Sequence, residues 1–122
     1  LPHCLYFSAH ELQNFPAFAP NPGGRDRFEL ASPAYVGDGE GIGFTCNVAW
    51  MEDRYGDAEY ALMANRLLIP IAKAFNPELI LVSAGFDSAA GDECGFEVTP
   101  AGYAYLTRAS KSLRASQHKH FK

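Results

Sequence analysis

The sequence lacks three features that would place it in well-defined classes of protein: paired cysteines, long apolar runs and an excess of basic residues. Its three cysteines are far apart and form no Cys-x-x-Cys pair. This argues against a disulfide framework and a thiolate zinc site, and it fits a reducing compartment. No apolar run approaches the roughly 20 residues that span a membrane. The net charge of −4 gives no electrostatic reason to bind nucleic acid.

The length and composition are those of one small globular domain, with 122 residues, of which 48% are hydrophobic and 20% charged. The chain begins at Leu1 and enters a strand-like stretch directly, without the usual lead-in. We therefore expect a fragment, or a chain whose beginning has been removed by processing.

Three short apolar segments predict buried β-strands. CLYFS (4–8) and GFTCNVAW (43–50) are rich in β-forming residues. ELILVSA (78–84) is apolar almost throughout, as a strand covered on both faces should be. The stretch 11–43 between the first two contains four of the eight prolines. An irregular loop of this length is usually functional or disordered.

Two segments predict helices. Ala61, Ala64, Leu68, Ile71 and Phe75 recur at alternating spacings of three and four residues, which places them on one face of a helix over 57–75. Asp57 would be its N-cap or first-turn acid. Pro70 predicts a kink, because an interior proline costs about 3 kcal/mol.

A final helix is predicted from Thr99-Pro100 to about Leu113, with threonine as the cap and proline at the first position. The tail SQHKHFK is polar, and its His118 and His120 are expected to be solvated. The order strand, strand, helix, strand, helix predicts an α/β fold with a parallel sheet.

The glycine-rich segment GDGEGIGF (37–44) does not have the spacing of a dinucleotide-binding loop. That loop needs glycines at offsets zero, two and five, but the last position falls here on Ile42, Phe44 or Cys46. The segment also precedes a strand instead of following one. It predicts a flexible loop that leads into the second strand.

Two polar residues come directly after predicted strands, where parallel α/β sheets bind ligands. Asp87 follows the small residues Ser83-Ala84-Gly85 and is either a metal ligand or general base, or a turn aspartate. His10 follows Ser8-Ala9 and is either a neighbour of Asp87 on one rim or a hydrogen-bonded structural group. Phe15, in the long loop, lies under that loop or lines a cleft.

Four motifs in order resemble the catalytic domain of zinc-dependent histone deacetylases. They are LYFSAHELQNFP, GEGIGFTCNVAW, GDAEYALMANRLLIPIAKAFNPELILVSAGFD and LILVSAGFDSAAGDE with EVTPAGYAYLT. The resemblance covers about residues 4–107, and the wording NVAW favours the class II branch. It implies part of a three-layer, parallel-sheet, arginase/deacetylase-like fold over residues 1–110, followed by an off-family polar tail at 111–122.

The resemblance also implies roles for single residues. Asp87 matches a zinc ligand, and Phe15 matches an aromatic wall of the tunnel for acyl-lysine. Ser8 and the backbone of Ala9 match a site for a structural K⁺ or Na⁺ ion near the zinc. The carbonyl of Phe44 matches a second, peripheral cation site. The role expected for His10 is a supporting one.

Three further motifs of that family are absent from the sequence: Asp-x-His, which supplies two zinc ligands, the tandem histidines, and the Gly-Gly-Tyr that carries a catalytic tyrosine. We therefore expect a part of a protein lysine deacetylase, class II-like, that has no activity by itself. The implied partners are acetylated histones or other acetyl-lysine proteins and a co-repressor complex, in the nucleus, the cytoplasm or both.

Two other hypotheses remain from the sequence. The chain could be a non-catalytic truncated isoform that acts as an interaction module. A generic α/β hydrolase or nucleotide binder is disfavoured, because the sequence contains neither Gly-x-Ser-x-Gly nor a P-loop.

Overall fold

The computed structural model describes residues 3–13, 24, 26–52 and 54–115. The chain consists of two compact units, one over Leu1–Glu52 and one over Asp53–Lys122. Within the described residues, no helix combines the length and hydrophobicity that crossing a lipid bilayer requires.

The first unit is built on a parallel pair of strands, which confirms the parallel pairing predicted from the sequence. Strand β1 (Tyr6–Glu11) and strand β2 (Thr45–Trp50) run in register, from Tyr6 opposite Thr45 to Glu11 opposite Trp50. The first strand was predicted at 4–8 but spans 6–11. Its limits follow those of its partner, since Tyr6 pairs with Thr45 at the start of β2 and Glu11 pairs with Trp50 at its end. Apolar character alone does not reveal these limits.

The long stretch between the two strands is more regular than predicted. It contains a short helix, α1 (Arg27–Ala31), whose N-cap Asp26 accepts a hydrogen bond from the Phe28 amide at 3.0 Å. The predicted loop at 37–44 contains a 3₁₀ turn at Gly39–Gly41. The Val36 oxygen accepts from the amides of Gly43 and Thr45.

Gly37 explains why this turn needs glycine. Its φ is +113°, and a Cβ atom at this position would collide with the carbonyl of Gly41. Only glycine combines this backbone conformation with such a close approach. Gly37 therefore shapes a turn that leads into the second strand.

The second unit begins with the helical stretch predicted at 57–75, with Asp57 as its first residue. It consists of helix α2 (Asp57–Met63), a π-helical segment (Ala64–Leu68) and helix α3 (Ile69–Phe75). The kink predicted at Pro70 remains a prediction, and a π-helical segment lies just before this residue. Asn76 ends α3 in the left-handed conformation, with φ of 56°.

The third predicted strand is not formed, and this prediction was wrong. Residues 79–86 have no regular secondary structure, and Leu81 is 85% exposed. A strand requires a hydrogen-bonded neighbour, and no described residue supplies a ladder to this segment. The apolar pattern shows that the segment favours burial, but it does not supply the partner.

The last helix agrees with its prediction. Helix α4 spans Pro100–Ala115, and the Thr99 hydroxyl accepts from the amides of Ala101 and Gly102. The core of this unit joins the helices to the segment before α4, and its buried side chains are Tyr60, Met63, Ala64, Ala72, Phe96, Val98, Ala109 and Leu113.

Candidate functional site

Asp87 lies in an exposed turn that begins at Phe86. The Ala89 amide donates to the Phe86 carbonyl at 3.1 Å, which closes the turn around Asp87 and Ser88. The carboxylate lies back over Gly85, since a Cβ on that glycine would be 2.8 Å from Asp87 Oδ1. A side chain at position 85 would therefore displace the carboxylate, and the small residues before Asp87 leave it room.

The turn is fixed on its C-terminal side by the segment that precedes α4. The Val98 amide donates to the Ser88 carbonyl, and the Ala90 amide donates to the Val98 carbonyl, both at 3.0 Å. Val98 is 1% exposed. Because these two bonds join the turn to a buried residue, the residues just after Asp87 have a fixed position in the unit.

A side-chain hydrogen bond joins the same turn to α2. The Tyr60 hydroxyl donates to Ser88 Oγ at 3.0 Å. The Tyr60 ring packs edge-on against Phe96, with ring centroids 6.4 Å apart. The residue next to Asp87 is therefore held through its backbone and its side chain.

Tyr103 of α4 lines an open cavity of about 460 Å³ beside the turn, together with Phe86 and Val98. Its ring lies edge-on to Phe86 at 5.1 Å, and its buried hydroxyl has no hydrogen-bond partner among the described residues. Burial raises the pKa of Tyr103, Tyr60 raises it further, and Asp87 adds to the rise. The Ser88 hydroxyl opposes this shift, but its own hydrogen bond is with Tyr60.

The residues around Asp87 fit zinc in kind but not in number. A carboxylate oxygen is a regular zinc ligand, and a catalytic zinc site needs about three protein ligands. Within the described part of the chain, no three His, Cys, Asp or Glu side chains are grouped closely enough to hold a metal ion. Asp87 can supply one ligand, and the others would have to come from elsewhere.

In the first unit, Ser8 and His10 form a hydrogen-bonded chain that ends on α1. His10 Nε2 lies 2.9 Å from the Ala31 carbonyl, and Nδ1 lies 2.8 Å from Ser8 Oγ. Because a carbonyl only accepts, Nε2 carries the proton, and in the neutral imidazole Nδ1 accepts from the Ser8 hydroxyl. The lone pairs of the Ser8 oxygen are not consumed by this bond.

Asn47 supports the same end of α1 from the second strand. It is opposite Ser8 in the sheet and is 7% exposed. Its amide nitrogen donates to the carbonyls of Leu30 at 2.9 Å and Ser32 at 3.1 Å. His10 and Asn47 therefore donate hydrogen bonds to three consecutive carbonyls at the end of α1, those of residues 30 to 32.

The other candidate residues are placed as follows. The Phe44 carbonyl accepts from the Tyr6 amide at 2.9 Å, where the strand pair begins. Phe15 lies outside the described residues. His10 and Asp87 belong to different units, so their meeting on one rim remains a prediction. Burial raises the pKa of the Cys46 thiol, which makes it a weaker nucleophile and metal ligand.

Sequence reasoning did not find Tyr60 and Ser88. Tyr60 precedes Ala64 by four residues on the face predicted to be buried, so the helical period could have placed its ring in the core. Nothing in the sequence indicates that its hydroxyl reaches a residue 28 positions away.

The chain matches known proteins over nearly its full length. The histone deacetylase domain model matches residues 1–121. The match extends past residue 110, and the domain end predicted there from the sequence remains a prediction. Among curated proteins, the chain is 44% identical over 92% of its length to human polyamine deacetylase HDAC10. It is 39% identical over 92% of its length to histone deacetylase HDA1 of Candida albicans. It spans 16% and 13% of these two proteins.

Solved structures give the same result. The structure of the histone deacetylase Clr3 superposes with a TM-score of 0.80 and 37% identity, over 93% of this chain and 18% of that one. The HD domain of HDA15 gives a TM-score of 0.73 and 34% identity, over 91% of this chain and 29% of that one. The fold is thus part of the α/β fold of these catalytic domains, and the chain belongs to the histone deacetylase domain family.

Proposed function

We propose that this chain is a section of a zinc-dependent, class II-like lysine deacetylase domain, which hydrolyses acetyl-lysine amides on histones or other proteins. The observation that supports this proposal most directly is the position of Asp87. It is an exposed carboxylate in a turn that buried residues hold in place, within a chain that matches the deacetylase family. The complete protein would act in the nucleus, the cytoplasm or both, with a co-repressor complex as partner.

In this proposal Asp87 contributes one carboxylate to the zinc, and the remaining ligands lie outside this chain. Bound zinc would polarise the amide carbonyl and acidify a water molecule. Phe15 would line the substrate tunnel. The chain's own contribution is to hold the Asp87 carboxylate in position, because a metal ligand must be held in a fixed geometry.

The proposed cation site of the first unit fits the geometry of Ser8. Its hydroxyl proton points to His10, so the oxygen presents lone pairs to a K⁺ or Na⁺ ion, together with the Ala9 carbonyl. His10 would thereby have its supporting role, because it orients the hydroxyl. In the same proposal the Phe44 carbonyl, which accepts from the Tyr6 amide, would serve the peripheral site.

Two alternatives have specific support. The lack of a metal-binding group of side chains among the described residues favours a non-catalytic interaction module if no other segment completes the site. Similarity to a polyamine deacetylase favours acetylated polyamines as a second substrate class. The first alternative predicts no metal binding in any context, and the second predicts turnover of an acetylpolyamine in preference to an acetyl-lysine peptide.

The test uses the 122-residue chain and the full-length protein that carries it. We expect the chain alone to show no inhibitor-sensitive turnover of either substrate. In the full-length protein, Asp87→Asn should lower zinc retention and activity by more than about 100-fold, since even partners of the ligands are worth 10- to 100-fold. Zinc content and turnover are measured together.

Asp92→Asn is the matched control, because Asp92 is an exposed aspartate of the same loop whose side chain accepts from the Cys94 amide at 3.1 Å. It should keep wild-type zinc content and turnover. Full zinc retention by Asp87→Asn would overturn the proposed metal role. Inhibitor-sensitive turnover by the chain alone would show that the site is completed within these 122 residues.

A further inference from the structure

We propose that Tyr60 is a positioning residue for the Asp87 carboxylate and that it acts through Ser88. This inference rests on the proposed function, in which Asp87 is a metal ligand. Tyr60 would touch neither metal nor substrate. Its hydroxyl would fix the residue that follows Asp87, and so fix the direction in which the carboxylate points.

The Tyr60 hydroxyl is well suited to this role because its own position is fixed. Tyr60 is 7% exposed, on the buried face of α2, and its ring packs edge-on against Phe96, which is 5% exposed. Burial and the contact with Phe96 restrict the rotamers available to this ring. The hydroxyl therefore presents its proton to a single place, which Ser88 Oγ occupies at 3.0 Å.

Ser88 is the point at which an exposed segment meets the core. Residues 81–87 are exposed, whereas Ser88 is half-buried and bonded on two sides. Its carbonyl accepts from the buried Val98, and its hydroxyl accepts from Tyr60. The carbonyl bond holds the backbone after Ser88. The hydroxyl bond limits rotation of Ser88 itself, and with it the backbone that carries Asp87.

The chemistry of a metal site makes such a bond consequential. Groups that hold a ligand in position change metal affinity or activity by 10- to 100-fold in other proteins. A bond that merely stabilised the fold would change the midpoint of thermal unfolding and leave metal affinity largely unchanged. The ratio of these two effects distinguishes positioning from general stabilisation.

The experiment measures zinc affinity by chelator competition, thermal unfolding and steady-state kinetics in the full-length protein. Tyr60→Phe keeps the ring and removes the hydroxyl. We expect about a 10-fold or larger loss of zinc affinity, a fall in kcat with KM unchanged, and a small change in the unfolding midpoint. Ser88→Ala should give the same loss, and Ser88→Thr should restore most of it. The double variant should be no worse than either single one, because both remove one bond.

Tyr105→Phe is the matched control. Tyr105 donates to Asn65 Oδ1 at 2.8 Å, so the same substitution removes a tyrosine hydrogen bond of the same unit that does not involve the Asp87 turn. It should leave zinc affinity at the wild-type value. Equal losses of zinc affinity in Tyr105→Phe and Tyr60→Phe would overturn the inference in favour of general destabilisation.

The inference and the proposed function fail in different ways. If Asp87→Asn loses zinc while Tyr60→Phe and Ser88→Ala keep it, the positioning role is wrong and the metal role of Asp87 stands. If Asp87→Asn retains zinc, the proposed function itself is wrong. Because two separate residues supply the bond, Ser88→Ala decides the question if Tyr60→Phe does not fold.

Discussion

At the scale of single residues, one carboxylate joins the beginnings of two helices. Asp57, the first residue of α2, accepts from the Thr99 hydroxyl at 2.6 Å and from the Thr99 amide at 2.8 Å. Thr99 in turn caps α4. The Thr99 hydroxyl, and then its amide, lower the pKa of Asp57. The segment that fixes the Asp87 turn ends at Thr99, so this contact lies next to the candidate site.

The lowered pKa of Asp57 predicts a pH dependence with a definite sign. The unfolded state binds a proton more readily than the folded state, so this group stabilises the fold above the ordinary aspartate pKa of about 4. That stabilisation is lost as the pH falls through the folded-state value. Urea unfolding from pH 7 down to pH 3 should therefore show a smaller pH-dependent loss of stability for Thr99→Val, which lacks the hydroxyl.

The matched control for this prediction is Thr99→Ser, which keeps both donors and should keep the wild-type pH dependence. Loss of the α4 cap in Thr99→Val lowers stability equally at every pH, so it does not enter the slope. An unchanged slope in Thr99→Val would show that the Thr99 hydroxyl does not set the pKa of Asp57.

Single residues also show what a sequence can and cannot reveal about a site. Asp87 and His10 were candidates because each is a polar residue directly after a predicted apolar strand, but no strand forms before Asp87 and His10 lies within β1. The partners of His10 could not be predicted, because the Ala31 carbonyl lies 21 residues away in a helix that the pattern did not show. Proline-rich loops hide short helices of this kind, since five residues are too few for a helical period.

At the scale of elements, the helix from 57 to 75 shows how a proline is accommodated. Pro70 has no amide proton, and its ring would collide with the carbonyl four residues earlier in a regular helix. The π-helical segment Ala64–Leu68 lies just before it and places Pro70 in the first turn of α3. Proline is tolerated there because the wider turn of the π-helical segment avoids the collision with the carbonyl four residues earlier.

This arrangement predicts a modest gain from removing the proline. We expect Pro70→Ala to raise the free energy of unfolding by about 1 kcal/mol, the net value of one backbone hydrogen bond. The gain should stay below the roughly 3 kcal/mol of an interior proline, because the π-helical segment already avoids the clash. Conversion of the π-helical segment to a regular α-helix would rotate α3 about its axis and expose the side chain of Ala72, which is now only 6% exposed. This cost also limits the gain. Chemical denaturation measures the change.

Pro100→Ala is the control for this prediction. Pro100 is the first residue of α4, where proline is favourable, so its removal should change stability by less than about 0.5 kcal/mol, as at most surface positions. A destabilised Pro70→Ala would mean that the π-helical segment is held by contacts other than those with the proline.

The unformed strand at 78–84 sets the limit of prediction at this scale. Helices are recognised from sequence because their hydrogen bonds are local, and the predicted helix limits agree closely with α2, α3 and α4. A strand depends on a partner that is distant in sequence. The pairing of β1 with β2 supplied that partner, whereas the segment before Asp87 has none among the described residues.

At the scale of the whole molecule, the main feature is an exposed apolar segment in the second unit. Leu79, Leu81, Val82 and Phe86 are 71%, 85%, 67% and 64% exposed. Exposed leucines that occur singly are normal, but a contiguous group marks a surface that favours contact with another. The segment has no ladder partner among the described residues, so its amides and carbonyls add hydrogen-bonding groups to the same surface.

We therefore expect the 122-residue chain to self-associate and to bind a hydrophobic dye in solution. Leu81→Lys should reduce both effects by at least about half, because a charge in the middle of an apolar β-prone segment opposes edge-to-edge pairing. Sedimentation velocity over a range of concentrations and dye fluorescence measure the two effects.

Leu62→Lys is the matched control, since Leu62 is a leucine of α2 with 59% exposure, outside this segment. A wild-type chain that stays monomeric and binds no dye would contradict the prediction, and equal effects of both variants would assign the association to general surface charge instead of this segment.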